Sequence, residues 1–310
     1  MTVAFLFPGQ GSQYVGMGAK LYAASDAARQ VYREAQQALG FDIAKLCHEG
    51  PADRLDLTEH TQPAILTTSL AALRWAEEKG LSASMLAGHS LGEYTALVAS
   101  GGLAFSDAVT LVRNRGRYMQ EAVPAGIGAM AAVLGLDRRT VEEICRSASG
   151  QGIVSAANIN SPVQIVIGGE RPAVEAAMAL ARERGAKRIM PLAVSVPSHC
   201  SLMKPAAERL SRDLNGVKLL RLRIPVVTNV DAVPITSGDL AKEALVRQLA
   251  SPVLWVDTIQ RMVQEGITTF VEIGPGTVLS GLVKRIAKEA RTYHIEDPES
   301  LEETLGALAA

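Results

Sequence analysis

Residues 88–92 read Gly-His-Ser-Leu-Gly, a Gly-x-Ser-x-Gly pentapeptide between a short apolar run (Met85, Leu86, Ala87) and a stretch with Tyr94, Leu97 and Val98 at helical spacing. A serine hydroxyl is a poor nucleophile unless a base stands beside it. Glycines on either side let the backbone bend sharply, so that Ser90 can project from a strand-to-helix turn with the amide of Leu91 facing a developing oxyanion. The base must come from five histidines. His48 and His60 lie among acidic and polar residues and read as surface groups, and His294 lies near the C-terminus beside Tyr293. His89 adjoins Ser90, but neighbours in an elbow point apart, so it reads as an orienting or packing residue. His199, in Val196-Pro197-Ser198-His199-Cys200, can be carried over the elbow by a loop. Its alternative is a satisfied structural histidine. A partner to orient its ring is open among Asp231, Asp257, Glu272 and a backbone carbonyl.

The elements that must position these groups alternate between strand and helix. Val3 to Phe7 reads as a buried strand entering the loop Pro8-Gly9-Gln10-Gly11-Ser12-Gln13. Pro63 is expected to open a helix ended by Gly80. Ser106 is expected to cap a helix from Asp107 to about Ala122. That helix aligns Ala108, Leu111, Val112, Arg115, Tyr118 and Met119 on one face, with Arg113 and Arg117 opposite. Arg115 is therefore a cation on an inward stripe. It can pair with a core acid, snorkel, or hold a substrate anion. Ile224–Thr228 and Val271–Ile273 read as further strands, with helix-like stretches at Leu240–Leu249 and Val278–Glu289. This alternation argues for an α/β fold with a mostly parallel sheet covered on both faces.

Residues 125–193 read as a separate unit with the order βαββαβ of a ferredoxin-like module: strands at Ala129–Leu134, 153–157, 163–167 and 188–192, and helices near 139–147 and 172–184. The expected organisation is a hydrolase-like catalytic body of residues 1–124 and 194–310, with the insert forming a cleft wall.

Composition narrows the function. Of 310 residues, 48% are hydrophobic and 4% aromatic, and the net charge is −1, so neither a basic field nor stacking platforms point to nucleic acid. No apolar run approaches the roughly 18 residues that span a bilayer, and the start of the chain reads as a strand rather than a signal peptide. The three cysteines, Cys47, Cys145 and Cys200, are widely separated, which favours a reducing cytoplasm over a disulfide framework. Cys200 follows His199 and is a possible rival nucleophile, against its reading as a small buried residue.

Taken in order, Pro8–Gln13, Gly88–Glu93, Arg115-Gly116, Val196–His199, Gln248 ahead of Ser251-Pro252-Val253, and Glu272–Gly276 resemble the malonyl-CoA:acyl-carrier-protein transacylase family of bacterial type II fatty acid synthesis over nearly the whole chain. The resemblance implies Ser90 as nucleophile and His199 as base. The amides of Gln10 and Leu91 would form the oxyanion hole, the backbone carbonyl of Gln248 would orient the imidazole, and Arg115 would pair with the malonyl carboxylate. Asn158 and Asn160 match a cleft-lining motif, with capping of a turn before Pro162 as the alternative, and His89 joins the lining. The implied reaction passes malonyl from malonyl-CoA through a malonyl-serine ester to the phosphopantetheine thiol of acyl carrier protein. It needs no metal or other cofactor, no nucleic acid and no membrane, and a cytoplasmic monomer is expected. Three basic groupings can meet an acidic carrier protein: Arg113 with Arg117, Lys187 with Arg188, and Lys284 with Arg285 and Lys288. The rivals are an acyl-CoA hydrolase using the same Ser-His pair, a non-catalytic carrier-binding subunit, and a polyketide-type acyltransferase.

Overall fold

The computed structural model describes residues 2–124, 126–192 and 196–309. Among the described residues, ten strands form two sheets: β1 Val3–Phe7, β2 Met85–Gly88, β3 Gly128–Leu134, β4 Val154–Ser161, β5 Gln164–Glu170, β6 Arg188–Pro191, β7 Val226–Val227, β8 Pro234–Ile235, β9 Thr269–Ile273 and β10 Arg291–Ile295. The first sheet has the order β10-β9-β1-β2-β7-β8, parallel except for the β7–β8 pair. Its central strands are buried, β1 and β2 as apolar runs and β9 with Thr269 and Glu272 among its apolar residues, as a sheet covered on both faces requires. β1 and β2 lie side by side with Phe7 opposite Gly88. Their C-terminal ends therefore deliver the Pro8–Gln13 loop and the Ser90 elbow to the same place. In open α/β sheets, ligands gather at that end of the strands.

The second sheet, β4-β5-β3-β6, is antiparallel throughout. With the helices Arg138–Ala148 and Arg171–Glu183 it follows the ferredoxin-like order. Side chains alternate along β3. Ala131 and Val133 pack under the helices, whereas Met130 and Ala132 face the other way with Ala157 and Val166. The antiparallel sheet is joined to the segment ahead of the helix Trp255–Gln264 by a parallel bridge between Asn158 and Val253, in which Ile159 N–H donates to Val253 O and Val253 N–H to Ala157 O, each at 2.9 Å. The boundaries expected at 124/125 and 193/194 fall on Ala125 and residues 193–195, outside the described residues.

Several expectations are corrected. Pro63 does not open its helix but lies inside Thr58–Glu78. The unforeseen first turn is held by tertiary contacts. Thr61 Oγ1 donates to Leu55 O, and the helix Phe105–Ala122 passes so close that a Cβ at Gly116 would lie 2.5 Å from Thr58 O. Ser106 is not a cap. The helix starts two residues earlier, at Phe105, with Ala104 at the cap position and no side-chain bond there. The strand expected at 224–228 shrinks to β7, and β8, β10 and the helix Pro298–Ala309 were not foreseen. These short or half-exposed edge elements carry weak periodicity. Among the described residues, no helix is long and apolar enough to cross a membrane.

Candidate active site

The elbow is built by close packing. A Cβ at Gly88 would lie 1.9 Å from Gly92 C, and one at Gly92 would lie 2.1 Å from Phe7 O, so neither position accepts a side chain. Between them Ser90 adopts a left-handed φ of 52°, and His199 is also left-handed at 61°. Each such non-glycine residue costs about 1–3 kcal/mol and persists only where its surroundings fix it, a pattern concentrated at functional sites.

The two side chains meet. Ser90 Oγ lies 2.7 Å from His199 Nε2, and His199 Nδ1 lies 2.9 Å from the backbone oxygen of Gln248. A carbonyl only accepts, so Nδ1 carries the proton and Nε2 is free to receive one from the serine. Burial, followed by the positive charge of Arg115, pushes the His199 pKa down to about 3, so the imidazole is neutral at physiological pH and ready as a base. The three acids considered as its partner are engaged elsewhere: Asp231 with Arg247 (2.5 Å), Asp257 with Arg138 (3.4 Å), and Glu272 with the amides of Leu279 and Ser280 (3.0 and 2.7 Å). Cys200 is buried with its Sγ against Pro197 O, and burial pushes its thiol up to about 11, which leaves it an inert thiol. His48 is not a simple surface group. It lies edge-on to Tyr22 and Tyr32, and burial lowers its pKa.

Leu91 immediately precedes the helix Gly92–Ala99, so its amide adds to the positive end of the helix dipole. No hydrogen bond of the described residues occupies the N–H of Leu91 or of Gln10, whose side chain is held by Thr58 Oγ1 at 3.2 Å. These two amides can receive an oxyanion.

Arg115 is only 1% exposed. Its Nη1 donates to Gln62 Oε1 (2.7 Å), and its Nη2 to Gln248 Oε1 and Ser90 Oγ (both 3.1 Å). All of these acceptors are neutral, and the guanidinium sits 5.7 Å from the Tyr94 ring centroid. No ion pair within 4.0 Å forms here among the described residues, so of the alternatives open for Arg115 the core salt bridge fails. Glu93 acts on the guanidinium only through space, so this buried cation has no anion in contact, and a ligand carboxylate can supply one.

Ser90, His199, Arg115 and Gln10 open on a cavity of about 180 Å³ whose other wall comes from Met130, Asn158, Asn160 and Val166 of the antiparallel sheet. Asn160 does not cap a turn. It stands on β4 and its Oδ1 lies 2.9 Å from His89 Nε2, while the His89 ring meets Trp255 edge-on. Asn158, also on β4, is buried in the wall. A second cavity of about 170 Å³ adjoins the first, sharing Gln10, His89 and Asn160. Of the basic groupings, Arg113 is tied to Leu39 O, Arg117 is paired with Glu121 at 3.9 Å, and Arg285 bonds Gln164.

Asn229, the side chain of Gln248, Gln62 and the carboxyl of Glu93 were not singled out from the sequence, yet all contact the reacting groups or their supports. Asn229 directly follows the strand Val226–Val227 and Thr228, beside β2. A polar residue at the C-terminal end of a parallel strand is the signal that would have found it.

An acyl transferase domain family matches residues 4–306. A malonyl CoA-acyl carrier protein transacylase of Bacillus subtilis is 49% identical over 301 residues, covering 97% of this chain and 95% of the relative. The solved malonyl CoA-acyl carrier protein transacylase of Coxiella burnetii superposes with a TM-score of 0.98 at 43% identity, covering 100% of this chain and 98% of its own. A malonyl-transacylase solved in complex with a type II PKS acyl-carrier protein matches at TM-score 0.97 and 46% identity, covering 99% of this chain and 100% of its own.

Proposed function

Because the chain belongs to the malonyl CoA-acyl carrier protein transacylase family of acyl transferases, we propose that it moves malonyl from malonyl-CoA to the phosphopantetheine thiol of acyl carrier protein, supplying fatty acid synthesis. The observation that carries the malonyl assignment is Arg115, a buried guanidinium with only neutral acceptors next to the nucleophile. A malonyl thioester brings the carboxylate that completes it, and a bidentate guanidinium–carboxylate pair in a partly dry site is a strong, oriented contact.

Ser90 Oγ attacks the thioester carbonyl carbon as its proton passes to His199 Nε2. The carbonyl oxygen becomes an oxyanion held by the amides of Gln10 and Leu91, which are fixed before reaction and need no reorganisation. Collapse breaks the C–S bond, and His199 returns the proton to the departing CoA sulfur. In the second half the carrier thiol gives its proton to His199 and attacks the ester carbonyl. The C–O bond to Ser90 breaks and the serine recovers its proton. No electrons change hands and every proton has a named carrier, so the proposal calls for no cofactor. It places the chain as a monomer in the cytoplasm, where its three buried thiols stay reduced, and its partners are malonyl-CoA and the carrier protein, not nucleic acid or a membrane.

Transfer and hydrolysis share the acyl-enzyme, so the cleft wall must favour thiol over water. Incubation with malonyl-CoA followed by mass spectrometry tests the reading. The expected result is one malonyl adduct on Ser90, absent in Ser90→Ala and discharged onto holo-carrier protein when that is added. Release of CoA and free malonate at equal rates with and without carrier would replace the proposal with the hydrolase reading.

A further inference from the structure

The elbow stands on a buried polar frame that touches no reacting atom. The Asn229 amide brackets His89: Ser90 N–H donates to Asn229 Oδ1, and Asn229 Nδ2 donates to Gly88 O, both at 2.7 Å. One rigid planar group thus ties the backbone before the bend to the backbone after it, across the residue that leads into the left-handed Ser90. The frame continues through Glu93, whose Oε2 accepts from Asn229 N–H (3.0 Å) and from Gln248 Nε2 (2.8 Å). Gln248 Nε2 also donates to Ser90 O (2.9 Å), its Oε1 accepts from Arg115, and its backbone oxygen accepts from His199 Nδ1. Gln248 therefore touches nucleophile, base and cation together, and Glu93 holds Gln248 and Asn229 in one orientation. All three are buried, with Asn229 fully so.

We propose that Glu93 and Asn229 are positioning residues for the acyl transfer, fixing the Ser90 bend and setting it in register with His199 and Arg115. The inference rests on the acyl-transfer reading of that site. Sequestering a carboxyl from water is unfavourable, and burial pushes Glu93 up to about 7. Its position is explained by the two donors that converge on one oxygen, a geometry that an apolar side chain at 93 cannot supply.

The test uses the full chain with two labels for Ser90. One is malonyl-CoA, followed by rapid quench, and the other is a fluorophosphonate, which reports nucleophile and base without any malonyl group. Asn229→Ala is expected to slow malonylation about 100-fold, the scale on which misplacement of a reacting group acts, with KM for malonyl-CoA changed less than about threefold. Fluorophosphonate labelling falls in parallel. Glu93→Gln keeps an acceptor oxygen and loses about tenfold less than Glu93→Ala. If the alanine variants do not fold by circular dichroism, Asn229→Asp decides. It has the same shape but turns the Nδ2 donor into an acceptor facing Gly88 O, and slowed labelling is again expected. Folded variants that react within about twofold of the parent with both labels would overturn the proposal. A parent chain that takes the fluorophosphonate but not malonyl would defeat the malonyl reading while leaving the frame measurable.

Discussion

The two sheets contribute to one cavity by different means. The body around the parallel sheet supplies groups joined across long stretches of chain, Ser90 to His199, Ser90 to Asn229 and Arg115 to Gln248, with Ser90 and His199 in left-handed backbone. The antiparallel sheet supplies a surface, Met130 and Val166 with the polar Asn158 and Asn160, and its only backbone join to the body is the Asn158–Val253 bridge among the described residues. The body is thus committed to reactivity and the insert to shape. Damage in the body should stop the chemistry or, at Arg115, remove the partner of an acyl carboxylate, whereas damage in the wall should change how well the cleft admits acyl group and acceptor.

The largest expected effect tests the body. His199→Ala should slow malonylation of Ser90 by about 10²–10⁴-fold, the range of a positioned base. A near-parent rate would break the comparison at its strongest point. The same variant has a signature in stability. The histidine is neutral when folded down to about pH 3 but titrates near 6.5 when unfolded, so the unfolded chain binds more protons in that window and stability falls as pH drops through it. Glu93, raised from 4.5 to about 7, has the opposite sign and loses stability as pH rises between those values. Thermal melts from pH 6.5 to 5 should therefore fall less steeply in His199→Ala than in the parent.

Arg115→Ala comes next and separates chemistry from recognition. Malonyl transfer should lose about 2–5 kcal/mol, the cost of a buried ionic group left without its partner, while acetyl transfer loses much less. Equal losses measured as kcat/KM with both thioesters would remove Arg115 from acyl selection. The smallest effect belongs to the wall. Asn160→Ala frees His89 Nε2 and widens the cavity, and should cost malonyl transfer about tenfold or less while raising the ratio of hydrolysis to transfer. A loss as large as that of His199→Ala would erase the difference between the regions.

Legibility in the sequence divides along the same line. The order of elements in the insert was readable locally, because its apolar strand runs and helical stretches are neighbours in the chain; that Met130 and Ala132 face away from Ala131 and Val133 needed the structure. In the body the strongest signals were also local: the glycines at 88 and 92 and the inward face of Phe105–Ala122. The pairing of Ser90 with His199 came from resemblance, since 109 residues separate them. What stayed hidden depends on tertiary contact. The start of the Thr58 helix is set by the crossing at Gly116, and the Glu93–Asn229–Gln248 frame by side chains 136 and 155 positions apart. No window of sequence registers such distances.

The contact of Gly92 with Phe7 O has an implication for how such a chain can change. The turn that carries Ser90 is pressed against the strand that leads into the Gln10 loop, so a shift of one must displace the other. That contact leaves no room for adjustment by substitution. Latitude for new acyl groups lies at Arg115 and in the inserted wall, and a designer wishing to retune the protein would redraw those and leave the elbow alone.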